Sequence, residues 1–170
     1  TGALPAVRSS SAEPSEGARL RASVAQVLAQ RCDTAEQTDV SRILSSAQFL
    51  LDMPTGGVWH AAGVLADGTL AQQGATSLLH VYGPKQHGAA ILQRACATSV
   101  LRACTFFSSV AALLGSGGQA NYAAANSCLD ALAGWRHVGG VVGVSVQWGA
   151  WAEVGMAAGS AMHARLKASG

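Results

Sequence analysis

The sequence predicts an α/β domain built on a parallel sheet with helices wound on both faces. Three observations carry that expectation. Strand-length and helix-length apolar segments alternate along the chain. Hydrophobic residues make up 49% of it against 12% charged and 5% aromatic, so a large aliphatic core is available. Many of the 20 glycines fall inside apolar stretches, where they allow backbone to pass close to backbone or to a ligand. In such a sheet, ligands bind where strand carboxyl ends meet helix amino ends.

The elements follow in order. Residues 1–15, rich in Ser, Pro, Gly and Ala, read as a flexible N-terminal segment. Residues 16–24 are expected as a short helix and 25–31 as a strand, with Asp33 at its carboxyl end. A helix over 36–51 is broken by Pro54, Thr55, Gly56 and Gly57. Residues 58–62 form the next strand, ending at Gly63. A long helical pattern over 74–98 runs through Leu78, Leu79, Val81 and Ile91. A strand over 102–108, a helix over 119–136 and a strand over 141–148 complete a β-α-β-α-β-α-β order. Polar or glycine-rich clusters at 63–67, 108–109 and 149–155 stand at strand ends. The tail, 158–170, reads as a short amphipathic helix or lid. One α/β domain over 16–157, between the segment 1–15 and the tail, is the resulting division.

Several function classes are set aside. Lys and Arg number 11 and Asp and Glu 9, a formal charge of +2, which is not the clustered basic footprint of a nucleic-acid binder. No window of 18 residues is free of charged and polar breaks, so no membrane span is expected. The chain opens on Thr1 with no secretory pattern over its first residues, which reads as a fragment edge. Cys32, Cys96, Cys104 and Cys128 have no CxxC spacing and sit in apolar contexts, as buried, reduced thiols of a cytoplasmic protein would. The histidines show no metal-ligand spacing, so each is expected as a surface or packing residue and no metal is expected.

Candidate chemistry gathers in residues 115–126, GSGGQANYAAAN. Tyr122 and Asn126 are four apart and share one face of a helix, with alanines between them. A tyrosine hydroxyl ordinarily titrates near pH 10, so proton transfer at neutral pH needs a cation or a relay beside it. Lys85 can supply the cation, and Ser109, past an apolar strand, can hydrogen-bond a substrate carbonyl. Each residue alone also has a plain reading: a core tyrosine, a surface asparagine, a turn serine, a solvated lysine.

Five ordered segments, GVWHAAGVLAD (57–67), YGPKQHGA (82–89), FFSS (106–109), GSGGQANYAAAN (115–126) and WGAWAEVGM (148–156), closely resemble the ketoreductase domains of modular polyketide synthases and type I fatty acid synthases. These belong to the short-chain dehydrogenase/reductase superfamily, with its Rossmann-like fold. The steps 109 − 85 = 24, 122 − 109 = 13 and 126 − 122 = 4 match the family's Lys, Ser, Tyr, Asn set. The resemblance implies that Tyr122 donates a proton to a β-keto oxygen while NADPH delivers hydride to the carbon. Ser109 would bind the carbonyl, Lys85 would assist the tyrosine and feed a proton relay, and Asn126 would hold the geometry. It further implies that Asp33 contacts the adenine, that Ala61, Ala62 and Gly63 pass under the cofactor, and that Trp148 and Gly149 back the nicotinamide. Asp33 reads equally well as a helix N-cap. Trp151 and Met156 would lead into a substrate lid.

Stereochemical markers lean to the B type. Asp67 holds the last position of a Leu-Asp-Asp motif whose middle Asp is Ala66, Leu114 stands where A-type domains carry Trp, and Asn121 is B-like, although Gly117 replaces a frequent Pro. The product implied is a (3R)-3-hydroxyacyl thioester on an acyl carrier protein. Against the superfamily strand order 3-2-1-4-5-6-7, the chain is expected to lack strands 1 and 2 and the glycine-rich turn that cradles the pyrophosphate. The run GSGG at 115–118 comes too late to replace it. A missing β-α-β segment or upstream domain is therefore an expected partner. Two other readings stay open: a non-catalytic Rossmann-like scaffold of such a synthase, and an independent reductase of small molecules.

Overall fold

The structure is a computed structural model, and it describes residues 27–149. By its internal contacts the chain divides into Thr1–Arg31 and Cys32–Gly170. In the first unit, residues 27–31 form no helix or strand, and Val27 and Leu28 are exposed. The strand expected at 25–31 is thus not formed there. A strand exists only as a rung of a ladder, and residues 27–31 stand in no sheet ladder among the described residues. The helix expected at 16–24, the segment 1–15 and the tail 158–170 lie outside the described residues.

The second unit holds a three-stranded parallel sheet in the order β1 (Gly57–His60), β2 (Ala103–Ser109), β3 (Val144–Trp148). That is the order expected for strands 4, 5 and 6. Helix α1 (Gln37–Leu51) precedes β1, and it ends at Asp52, whose φ of 48° takes the left-handed conformation that stops helices. Between β1 and β2 the helical pattern runs as α2 (Ala75–Tyr82), a π-helical turn (Gly83–His87) and α3 (Gly88–Ala95). The single helix expected over 74–98 is interrupted because Pro84 has no N–H to give and its ring crowds the carbonyl four residues back. A one-turn helix, α4 (Ala111–Leu114), follows β2 and was not expected. Then comes α5 (Ala120–Val138), with Arg136 and His137 in its last turn, where cations suit the helix dipole.

Period-2 burial along β2 decides which face is the core. Cys104, Phe106 and Ser108 are buried, while their neighbours are only half so. Ala89 of α3 and Leu129 and Ala133 of α5 pack on Cys104 and Phe106. The alanines let the helices approach the sheet closely, one use of the alanine content. On the opposite face Phe107 stacks on Trp148 at 5.7 Å, and Trp59 is exposed. Among the described residues, the helices that pack on the sheet do so from the Phe106 side. The asparagines Asn121 and Asn126 join Ala125, Leu129 and Ala133 on the buried face of α5.

Cys96 and Cys104 are buried as expected, and Cys128 is partly so. Cys32, by contrast with the expectation, is exposed. No described helix is long and apolar enough to cross a membrane. No described group of three His, Cys, Asp or Glu could hold a metal ion.

Candidate active site

Three elements bring chemistry to the carboxyl end of the sheet: the end of β2, the π turn, and the first turns of α5. Lys85, in the π turn, is 2% exposed, and its Nζ donates to the carbonyl of Phe107, two residues before Ser109. The same ammonium lies 5.2 Å from the centroid of the Tyr122 ring, a cation–π distance. Burial pushes its pKa from 10.5 down to about 8, with the Asp130 carboxylate pulling the other way. The plain reading of this lysine as a solvated one is therefore wrong. With only one donor spent on Phe107, two N–H groups remain for substrate, relay or solvent.

Asn126 is fully buried rather than a surface polar group. Its Nδ2 donates to the Tyr122 carbonyl at 2.8 Å, and Ser108 Oγ donates to the Asn126 carbonyl at 3.3 Å. Its Oδ1 is buried and has no hydrogen-bond partner among the described residues. A buried acceptor left open at the centre of a site is a position where a water or a substrate group would be held. Ser109 closes β2, and its Oγ accepts the Ala111 N–H at 3.2 Å, so its own proton can be donated elsewhere.

Gly63 owes its identity to Lys85. A Cβ there would stand 2.9 Å from Lys85 Cε and 3.4 Å from Nζ. Gly63→Ala is expected to leave the melting temperature nearly unchanged, since the lysine tail can shift. It should lower kcat about tenfold by moving the ammonium, as small misplacements of reacting groups do. Steady-state kinetics beside a thermal melt check this.

The other expected positions are spread around this centre. Ala61 is exposed and Ala62 half-buried, both in the loop after β1. Trp148 stacks on Phe107 at the end of β3, and Gly149, the last described residue, has open space where a Cβ would be. Asp33 is exposed; its Oδ1 accepts the Ala35 N–H, and its own N–H donates to Asp39 Oδ2. That is a turn ahead of α1, whose N-cap is Glu36 and not Asp33, and it leaves the second carboxylate oxygen available. Asp39 is held below its ordinary pKa first by that Asp33 N–H and then by Arg42.

Asp67 accepts from Gln119 Nε2 at 3.2 and 3.4 Å, and Asn121 Nδ2 donates to the Ala66 carbonyl at 2.9 Å. Gly68 N–H donates to the Gly118 carbonyl, and Asn121 Oδ1 accepts the Tyr122 N–H. The loop after β1 is thereby fastened to the start of the helix that carries Tyr122. Leu114 is 79% exposed on α4. Trp151 and Met156 lie outside the described residues. Gln119, buried, was not among the expected residues; a glutamine two positions before an Asn-Tyr pair carries no signal until its partner 52 residues away is known.

A family model described as the KR domain matches residues 5–153. Polyketide synthase GfsB of Streptomyces halstedii is 42% identical over 151 residues, 89% of this chain and 3% of that protein. A mycocerosic acid synthase-like polyketide synthase of Mycolicibacterium smegmatis is 42% identical over 141 residues, 80% of this chain and 7% of that protein. Among solved structures, A-type ketoreductases from a modular polyketide synthase align with a TM-score of 0.76 at 40% identity, over 81% of this chain and 29% of that one. The chain thus spans a small part of the length of the relatives it matches.

Proposed function

The chain belongs to the KR domain family, with the Rossmann-like fold of the short-chain dehydrogenase/reductases, and from that membership we propose that it is the catalytic section of a β-ketoacyl reductase. The reaction is NADPH-dependent reduction of a β-ketoacyl thioester on an acyl carrier protein to the (3R)-3-hydroxyacyl thioester. It takes place within a multidomain polyketide or fatty acid synthase in the cytoplasm. The single observation that carries the reading is Lys85: a buried ammonium beside the Tyr122 ring is costly to keep unless it has work to do there.

The residues present fit a nicotinamide cofactor at the carboxyl end of the sheet. Ala61, Ala62 and Gly63 after β1, and Trp148 and Gly149 at the end of β3, flank Ser109 at the end of β2, which is where sheets of this class bind dinucleotides. Asp33 keeps one carboxylate oxygen for an adenine. When bound, NADPH supplies the hydride that reaches the carbonyl carbon. The chain's own groups handle the oxygen. Ser109 Oγ–H and Tyr122 O–H donate to it as negative charge develops, and the tyrosine proton passes to it. Lys85 stabilises the tyrosine as the proton leaves, and the open Asn126 Oδ1 is suited to a water that returns one.

Asp67, Asn121 and Leu114 support the (3R) assignment as B-type markers of the family; Asp67 and Asn121 also tie the loop after β1 to the Tyr122 helix, and Leu114 is exposed on α4. Trp151 and Met156 belong to the proposed lid, and the division into 1–15, 16–157 and 158–170 is part of the same reading. The test is product configuration. The full-length protein, given NADPH and a β-ketoacyl N-acetylcysteamine thioester, is expected to yield the (3R) alcohol by chiral chromatography. A (3S) product would overturn the stereochemical assignment, and NADPH consumption without a 3-hydroxy product would overturn the reaction.

A further inference from the structure

The π turn that carries Lys85 is held by residues on two other segments. His60, the last residue of β1, is 2% exposed, and its Nε2 lies 3.0 Å from the Lys85 carbonyl. A carbonyl only accepts, so Nε2 carries the proton and the imidazole is a donor here. Burial, above all, pushes the His60 pKa down, which keeps the ring neutral beside the Lys85 ammonium. Thr34 Oγ1 donates to the adjacent Pro84 carbonyl at 3.2 Å. Gly88 makes both contacts possible: a Cβ on it would stand 2.7 Å from Thr34 Oγ1 and 3.2 Å from His60 Cε1. The Phe106 ring meets His60 edge-on at 6.5 Å and limits its rotation. The Lys85 carbonyl also accepts the Gly88 N–H, so the His60 imidazole is its second donor and ties the turn to β1; π turns recur at functional sites.

We propose that His60 is a positioning residue for carbonyl reduction. Its Nε2–H fixes the backbone of the π turn at Lys85, and so sets where the ammonium stands between Phe107 and Tyr122. The proposal rests on the catalytic reading of Lys85 and Tyr122 given above. It assigns to His60 a role in turnover rather than in cofactor or substrate binding.

The experiment uses the full-length protein with NADPH and a β-ketoacyl N-acetylcysteamine thioester. It compares wild type with His60→Leu, His60→Gln, Tyr122→Phe and the core variant Leu129→Val. His60→Leu is expected to lower kcat about tenfold or more with KM and cofactor affinity within about twofold, because the loss is one of alignment. His60→Gln, whose Nε2 can reach the same carbonyl, should restore kcat to within about threefold of wild type. Wild-type kcat in a folded His60→Leu protein overturns the proposal. So does a kcat loss that glutamine does not restore and that Leu129→Val reproduces at equal loss of melting temperature. If His60→Leu does not fold, His60→Gln decides: near-wild-type kcat supports the proposal, and a tenfold loss overturns it. Tyr122→Phe separates the two claims. If it keeps full turnover, the catalytic reading fails; if it is inactive while His60→Leu is not impaired, only the role of His60 fails.

Discussion

Replacing Lys85 with methionine is expected to lower turnover about a hundredfold and to make the protein more stable at neutral pH. Methionine keeps the length and bulk of the side chain in a site where Lys85 is 2% exposed, and it removes the charge. Lys85 titrates at about 8 in the fold against 10.5 for an ordinary lysine, a difference of 2.5. At about 1.4 kcal/mol per unit, burying the charged form costs on the order of 3 kcal/mol. That shift is already net of the bond to the Phe107 carbonyl, so methionine is expected to gain at most roughly 3 kcal/mol. The sign with pH follows from proton counting. Below about pH 8 both folded and unfolded wild type hold the lysine proton, and the cost is felt in full. Between about 8 and 10.5 the unfolded chain holds a proton that the folded one has released, so wild-type stability from this group rises with pH. Denaturation of the two proteins at pH 7 and pH 10 should show a gap that narrows at the higher pH. Turnover of the methionine variant should fall by at least about a hundredfold, the range in which acid–base assistance is lost.

Removing one oxygen from Tyr122 is expected to have the largest effect of all on rate. Tyr122→Phe keeps the ring, the 5.2 Å contact with the Lys85 ammonium, and the helix that accepts Asn126 Nδ2 at the Tyr122 carbonyl. What disappears is the hydroxyl carried by the ring that stands beside the Lys85 ammonium. A positioned proton donor contributes about 10²- to 10⁴-fold, so kcat should fall by that range while cofactor affinity and melting temperature hold. Cofactor fluorescence titration beside steady-state kinetics separates the two. A variant that loses cofactor binding in parallel with rate would point to a packing role for the tyrosine.

How far the sequence leads can be judged from particular residues. The alternation of apolar segments places β1, β2, β3, α1 and α5 within a few residues, because period and glycine breaks are local signals. The segment at 25–31 has the same pattern, yet its described residues, 27–31, form no strand, since a ladder depends on a partner that the pattern does not contain. Lys85 and Tyr122 were legible as a candidate pair from chemistry, a tyrosine that needs a cation, and the spacing of a family motif strengthened the pairing. Their proximity depends on a π turn at Pro84, inside a segment whose apolar pattern reads as one helix over 74–98. The contacts that fasten the site join distant positions: Asp67 to Gln119, Ala66 to Asn121, His60 to Lys85. No local rule couples such residues. Gly63 and Gly88 show the same limit from the other side: both are visible as glycines, but which side chains they make room for is a property of the fold.

The most direct test of the account is a mass balance on the full-length protein with NADPH and a β-ketoacyl thioester. NADPH consumed is compared with 3-hydroxyacyl thioester formed, for wild type and Tyr122→Phe side by side. The account predicts one 3-hydroxyacyl product per NADPH in the wild type and almost none of either change in the variant. Cofactor that binds without product in the wild type, or equal product from both proteins, would contradict it.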